Sequence, residues 1–319
     1  MKILVTPTSF KKADNAAARA MLEAFADEIV YNETGIPLQG DALLSLLQGV
    51  DGYIAGLDYI TEAVVEKMPA SVKCISRYGA GYDRVNLAAC TKKGIKVANT
   101  PGANATAVCE LAFGLMLSAA RDIPRLHRAV EAGDWPRSNG CELAGKTLGI
   151  VGLGAIGKKL ALRARAFEMQ VIAYDPYFDA AFAEANGVRQ MDLDGLLQQA
   201  DVISLHVPLT DATKHMIDEA RIASMKKGAI IINTARGGLI DESACAAALI
   251  AGKLGGLGLD AFEQEPLLES PLKGLPNVIF TPHTGAHTSE AVSNMGLMAV
   301  QNLIDVLSNR ECRYVLNKD

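Results

Sequence analysis

The sequence predicts an α/β protein built from two doubly wound, parallel-sheet domains. Short β-branched and apolar runs alternate with helical patterns along nearly the whole chain, and that alternation is interrupted once, near residue 100. Length agrees, because 319 residues exceed the size at which one hydrophobic core usually stops growing.

The first series reads as strands at 2–5, 28–31, 53–55, 72–76 and 96–98, with helices near 14–26, 41–47, 61–67 and 87–93 between them. Thr100-Pro101-Gly102 is then a turn signal, and residues 105–126 read as one long apolar helix. The domain boundary is placed before that helix. A second series has strands at 147–151, 171–174, 202–205, 229–233, 256–259 and 278–281. These are short, continuously apolar runs, as strands covered on both faces require. The last helix, 289–307, follows a sheet that is already complete and is free to return to the first domain.

Composition narrows the function. Half the residues are hydrophobic and 21% charged, the balance of a globular chain, and the net charge of -5 offers no basic surface for nucleic acid or an anionic membrane. No stretch approaches the roughly 20 apolar residues that cross a bilayer, and the start Met1-Lys2-Ile3-Leu4-Val5-Thr6-Pro7 is too short to be a signal peptide, so a cytoplasmic protein is expected. The six cysteines, Cys74, Cys90, Cys109, Cys141, Cys245 and Cys312, lack metal-ligand spacing and read as reduced thiols, with no metal implied.

The motifs that carry chemistry lie where strands end. Gly152-Leu153-Gly154-Ala155-Ile156-Gly157 stands between a strand and a helix. Glycines there permit the tight turn and the close approach of a pyrophosphate to the helix N-terminus, which marks a Rossmann dinucleotide site. Asp175 closes the second strand of that unit, where a carboxylate binds ribose hydroxyls and repels a 2′-phosphate; it selects NAD.

His206, Asn233-Thr234-Ala235-Arg236, Asp260 and His283 each follow one of the later strands. In a parallel sheet these ends share one edge, where ligands of doubly wound folds bind. Hydride transfer to a 2-oxo acid builds charge on the carbonyl oxygen and requires a proton. Arg236 suits the first need with its planar fork; His283 suits the second, with Glu265 as the carboxylate that favours its imidazolium. In the first domain, Arg77-Tyr78-Gly79-Ala80-Gly81-Tyr82-Asp83 follows a strand, and its close glycines suit an anion-binding loop for a substrate carboxylate at Tyr78, Gly79 and Ala80.

These segments resemble the D-2-hydroxyacid dehydrogenase family, and within it the phosphoglycerate dehydrogenase-like branch. The likeness also rests on Leu205-His206-Val207-Pro208-Leu209-Thr210, Asn233-Thr234-Ala235-Arg236-Gly237-Gly238, Asp260-Ala261-Phe262-Glu263-Gln264-Glu265-Pro266 and Pro282-His283-Thr284-Gly285-Ala286. It implies that Arg236 binds substrate, that His283 donates the proton and that Glu265 orients it. For NAD it points to Ala155, Ile156, Asp175, Val207, Thr234, Ala235, Asp260 and Gly285, beside the glycines Gly152, Gly154 and Gly157. It implies an NAD-binding Rossmann domain, 100–287, inserted in a flavodoxin-like substrate domain of 1–99 plus 288–319, and a homodimer formed largely by the cofactor domain. The branch often carries a C-terminal regulatory domain, and feedback control through one is not expected here, the sequence read ending at Asp319.

The activity expected is NAD-dependent, reversible interconversion of a small 2-hydroxy acid and its 2-oxo acid. Two alternatives stand beside it: 3-phosphoglycerate dehydrogenase of serine biosynthesis, and a non-enzymatic NAD-sensing protein like the family's transcriptional corepressors. One departure bears on substrate. Phosphoglycerate dehydrogenases commonly present arginine after the strand at 53–55, whereas this chain has Gly56-Leu57-Asp58-Tyr59. Asp58 facing the site would oppose a phosphate, and Arg77 and Arg137 are the candidate substitutes.

Overall fold

The computed structural model describes residues 1–318. They form two compact units, one from residues 1–104 with the chain from 286 onward, the other Ala105–Gly285.

The first unit holds β1 (Lys2–Val5), α1 (Ala16–Glu23), β2 (Glu28–Tyr31), α2 (Gly40–Leu46), β3 (Gly52–Ala55), α3 (Glu62–Lys67), β4 (Cys74–Arg77), α4 (Leu87–Lys92) and β5 (Lys96–Ala98). Its five strands are all parallel in the order β2-β1-β3-β4-β5, the flavodoxin-like winding. β3 and β4 are buried along their whole length, which is why their sequences lack polar alternation. Thr61 and Asn86 start α3 and α4 by accepting the N–H groups of Val64 and Ala89.

The C-terminal helix Ser289–Leu307 does return to this unit, seating Ala299, Val300 and Leu303 against Ile3, Val5 and Ile54. Ser76 Oγ donates to Ala299 O at 2.8 Å. Gly52 admits the helix, since a Cβ there would stand 2.7 Å from Leu307 Cδ1.

The second unit runs α5 (Ala105–Arg121), α6 (Ile123–Glu131), β6 (Thr147–Val151), α7 (Ala155–Ala166), β7 (Gln170–Tyr174), α8 (Ala180–Asn186), β8 (Val188–Gln190), α9 (Leu193–Gln199), β9 (Val202–Leu205), α10 (Glu219–Ser224), β10 (Ala229–Asn233), α11 (Glu242–Ile250), β11 (Leu254–Leu259) and β12 (Val278–Phe280). Seven parallel strands lie in the order β12-β11-β10-β9-β6-β7-β8. The winding reverses between β6 and β9, so the switch point of a Rossmann sheet falls at the ends of those two strands.

Two elements differ from the sequence reading. The long helix expected over 105–126 stops at Arg121, Asp122 takes a left-handed conformation at φ 56°, and a separate helix begins at Ile123. Pro124 has no N–H for Ala120 O and its ring would strike that carbonyl, so the first helix cannot continue; Ala120 O accepts the Cys141 N–H at 2.8 Å instead. β8 was not expected from the sequence. It is a three-residue edge strand, Val188-Arg189-Gln190, with two exposed polar residues and no apolar run to mark it.

No helix among the described residues is long and apolar enough to cross a membrane. Among those residues no group of three or more His, Cys, Asp or Glu side chains is placed to hold a metal ion. All six cysteines are free thiols, and all but Cys141 are buried.

Candidate active site

The glycine turn is built by contact. Gly152 follows β6 at φ 104°, and its N–H donates to Tyr174 O at 2.8 Å. A Cβ there would lie 2.7 Å from the His206 carbonyl carbon, so this turn packs directly on the chain leaving β9, including Val207. Gly157 lets α7 press onto the same turn, because its Cβ would fall 2.1 Å from Gly152 O. Gly154 is different: a Cβ there meets nothing within 4 Å. Gly152 and Gly157 are needed by the protein's own packing, whereas Gly154 opens outward at the N-cap of α7, with Ala155 and Ile156 in the first turn behind it.

Asp175 is held from two sides. Its Oδ2 accepts the Leu153 N–H and its Oδ1 the Tyr177 N–H, each at 2.7 Å. The carboxylate therefore ties the glycine turn to the loop after β7, with acceptor capacity left for a hydroxyl pair.

Along the same edge, Asn233 folds the turn after β10: its Oδ1 accepts the Ala235 N–H at 3.0 Å and its Nδ2 donates to Arg236 O at 2.8 Å. Thr234 Oγ1, buried beside it, has no hydrogen-bond partner. Buried hydroxyls are normally satisfied, so this one fits a polar ligand group. With the open Gly154 and the anchored Asp175, the residues present fit a dinucleotide. His206 is enclosed, with Nε2 2.9 Å from Ser204 Oγ and Nδ1 lacking a partner. Burial lowers its pKa to about 4, so the ring is neutral at pH 7.

His283 and Glu265 meet. His283 Nδ1 lies 2.7 Å from Glu265 Oε1, and the same oxygen accepts the Phe262 N–H at 3.3 Å. His283 stands in a left-handed conformation at φ 52°, a placement the surroundings must enforce. Asp260, 2% exposed at the end of β11, enforces it: Oδ1 accepts from Thr281 Oγ1 at 2.6 Å and from the Thr284 N–H at 2.8 Å, while Oδ2 accepts from the Gly285 N–H at 2.8 Å. Gly285 is required because a Cβ would sit 2.9 Å from Asp260 Oδ2. The Arg236 turn leans on the Glu265 loop through Gly237, whose Cβ would fall 1.8 Å from the Phe262 carbonyl carbon. Arg236 is half-buried, with Nη1 donating to Ala235 O at 2.7 Å. Glu265 and His283 are thus in direct contact, and Arg236 belongs to the turn packed against the Phe262–Glu263 peptide of the Glu265 loop. Thr281, unmarked by any motif reading, takes part through its hydroxyl.

The loop after β4 in the first unit is fastened to its surroundings. Its N–H groups are not all free: Tyr78 N–H donates to Ala55 O at 3.0 Å and Gly79 N–H to Thr100 Oγ1 at 3.0 Å. The Tyr78 hydroxyl is engaged too, donating to Val292 O at 2.9 Å and accepting from Asn15 Nδ2 at 3.0 Å. Ala80 fastens the loop through its carbonyl, which accepts Asn99 Nδ2 at 2.7 Å. Arg77 is 4% exposed and spends its guanidinium on Ala55 O at 2.6 Å and Gly81 O at 3.1 Å, so it is not a mobile substitute for a phosphate-binding arginine. Asp58 does not face outward. It is 2% exposed and accepts from Tyr53 OH at 2.6 Å, from the Leu38 N–H at 2.7 Å, from the Gly56 N–H at 3.1 Å and from Thr6 Oγ1, closing the loop after β3. Arg137 adjoins Ser138, in the wall of a cavity that Gly228, Gly255 and Asn277 also line, at the beginnings of β10, β11 and β12 and so at the opposite edge from His283.

Comparison with known proteins agrees with this geometry. Residues 113–285 match the model of the D-isomer specific 2-hydroxyacid dehydrogenase NAD-binding domain. The chain is 47% identical over 295 residues to D-3-phosphoglycerate dehydrogenase of Methanocaldococcus jannaschii, covering 91% of this chain but 56% of that protein, so it spans little more than half of that relative's length. It is 44% identical over 297 residues to hydroxypyruvate reductase of Thermotoga maritima, covering 90% of this chain and 96% of that one. Among solved structures it is similar to D-lactate dehydrogenase from Aquifex aeolicus complexed with NAD and lactic acid, at 31% identity and a TM-score of 0.84, covering 96% of each chain.

Proposed function

The chain belongs to the D-isomer specific 2-hydroxyacid dehydrogenase family, and we propose that it is an NAD-dependent reductase of a small, unphosphorylated 2-oxo acid such as glyoxylate or hydroxypyruvate. The observation that carries this reading is the 2.7 Å contact of His283 Nδ1 with Glu265 Oε1, on the strand-end edge that also bears the glycine turn and Arg236. NADH, when bound by the glycine turn, Asp175 and Thr234, supplies the hydride. Arg236 presents a permanent cation in a planar fork to the substrate carboxylate and to the carbonyl oxygen as charge develops there. His283, with Nδ1 taken by Glu265, offers Nε2–H to that oxygen and delivers the proton. Glu265 fixes the tautomer and the ring direction and stabilises the ring while it is charged. In the oxidation direction His283 takes the proton back.

Two observations favour the unphosphorylated acid. Arg77 is consumed inside the first unit, and the chain offers no arginine in Gly56-Leu57-Asp58-Tyr59. Ala80 and Gly81, whose N–H groups the loop itself does not use, are the candidates there for a carboxylate contact. In this reading the first unit is the substrate domain and the second the NAD domain, and the protein works as a cytoplasmic homodimer. The test is kcat/KM with NADH for glyoxylate, hydroxypyruvate and 3-phosphohydroxypyruvate side by side. The unphosphorylated acids are expected to be reduced at least as efficiently; a strong preference for the phosphorylated acid makes this a phosphoglycerate dehydrogenase. Tight NADH binding with no turnover of any acid favours a sensing role.

A further inference from the structure

We propose that Glu242 is a positioning residue for the proton-donating pair, pinning the segment that carries Glu265 and so fixing its carboxylate against His283. The inference rests on the roles assigned above to Glu265 and His283.

Glu242 is the first residue of α11 and only 7% exposed, an unusual place for an ionisable side chain. It is not there to cap the helix. That role belongs to Asp241, whose Oδ1 accepts the Ala244 N–H at 2.9 Å. The Glu242 carboxylate instead reaches across to the loop after β11. Oε1 accepts the Glu263 N–H at 3.0 Å and Oε2 accepts the Ser270 hydroxyl at 2.7 Å. One acceptor-only group therefore clips both ends of the segment between residues 263 and 270, and Glu265 lies inside it.

The clip is reciprocated. Glu263 Oε1 accepts the Glu242 N–H at 3.5 Å and stands 3.1 Å from His215 Nε2, while Ser270 Oγ accepts the Leu272 N–H at 3.3 Å. The Phe262–Glu263 peptide held in this way is the one against which Gly237 packs, and Phe262 N–H is the donor to Glu265 Oε1. Releasing the clip thus frees two neighbours of the site together, the backbone that orients Glu265 and the platform under the Arg236 turn. Displacements of about 1 Å in a reacting group can cost on the order of 100-fold in rate. The glycine turn and Asp175, at the ends of β6 and β7, share none of these bonds.

Three variants and three readouts test the proposal. Glu242→Ala is expected to lower kcat for 2-oxo acid reduction about 10- to 100-fold while the NADH Kd changes less than about threefold. In the NAD-free protein the same variant should exchange the amides of residues 262–270 at least tenfold faster, with the rest of the second unit unchanged. Glu242→Gln retains an acceptor for Glu263 N–H and can donate its amide to Ser270 Oγ, so it should recover kcat to within about fivefold of wild type. Ser270→Ala removes one end of the clip and should give an intermediate kcat; it carries the test if Glu242→Ala fails to fold. Wild-type kcat in Glu242→Ala or Ser270→Ala overturns the proposal, as does an equal loss in the alanine and glutamine variants. A wild-type protein that reduces no 2-oxo acid defeats the functional reading instead, and the exchange measurement then decides the placement of the loop by itself.

Discussion

Replacing Asp175 with alanine should do more than relax cofactor choice. Its two carboxylate oxygens each accept a backbone N–H at 2.7 Å, from Leu153 and from Tyr177. Hydrogen bonds to a charged acceptor contribute about 1.5–3 kcal/mol each, and the lower figure applies to a half-exposed group. Losing the Leu153 bond loosens the glycine turn for any dinucleotide, and losing the ribose contact adds about 1–1.5 kcal/mol for NADH alone. The NADH Kd should therefore rise on the order of 100-fold, since 1.4 kcal/mol is tenfold. For NADPH the looser turn is offset by relief of carboxylate–phosphate repulsion, worth about 1–2 kcal/mol at about 4 Å in the water-like dielectric of a half-exposed site. Its Kd should stay within roughly tenfold of wild type, narrowing the preference for NAD by about two orders of magnitude. Fluorescence titration with both cofactors measures this directly. An unchanged NADH Kd would refute the argument, and so would a large gain for NADPH with no loss for NADH, which would reduce Asp175 to a charge that merely excludes phosphate.

Two further outcomes follow from the same geometry. Glu265→Gln keeps an acceptor at His283 Nδ1 but removes the carboxylate that accepts from it, so kcat for reduction should fall at least about tenfold while the NADH Kd stays within about threefold of wild type; an unchanged kcat would make Glu265 a bystander. Burial lowers the pKa of His206 to about 4 against the usual 6.5, so the unfolded chain binds its proton first. Its contribution to stability is whole above pH 6.5 and is lost as pH falls toward 4, by up to about 3 kcal/mol at 1.36 kcal/mol per pH unit. Urea titrations across that range should show the slope, and His206→Asn should flatten it.

Most of the framework was legible because buried parallel strands announce themselves as short apolar runs ending in polar residues. Val202–Leu205 followed by His206, and Ala229–Asn233 followed by Thr234, are examples. β8 was not legible, since a three-residue edge strand with two exposed polar side chains leaves no pattern. The break at Asp122 could have been read from Pro124, had the steric cost of proline been set against the apolar periodicity. Side-chain direction was the deeper obstacle. Asp58 read as a charge that would oppose a phosphate and Arg77 as a candidate to bind one, because charged residues near a strand end usually face water, yet each turns inward to satisfy loop backbone and hydroxyl groups. Glu242 escaped notice for the converse reason: an acid in the first turn of a helix is so common that nothing distinguishes one that reaches across to another loop.

The central claim is that the His283–Glu265 pair protonates the oxygen of a bound 2-oxo acid. The most direct measurement is a single turnover of NADH-loaded protein with hydroxypyruvate, wild type against His283→Ala, with NADH binding titrated on the same samples. The rate in His283→Ala should fall by about 10²- to 10⁴-fold with an NADH Kd within about threefold of wild type. A His283→Ala protein that oxidises NADH at the wild-type rate would contradict it.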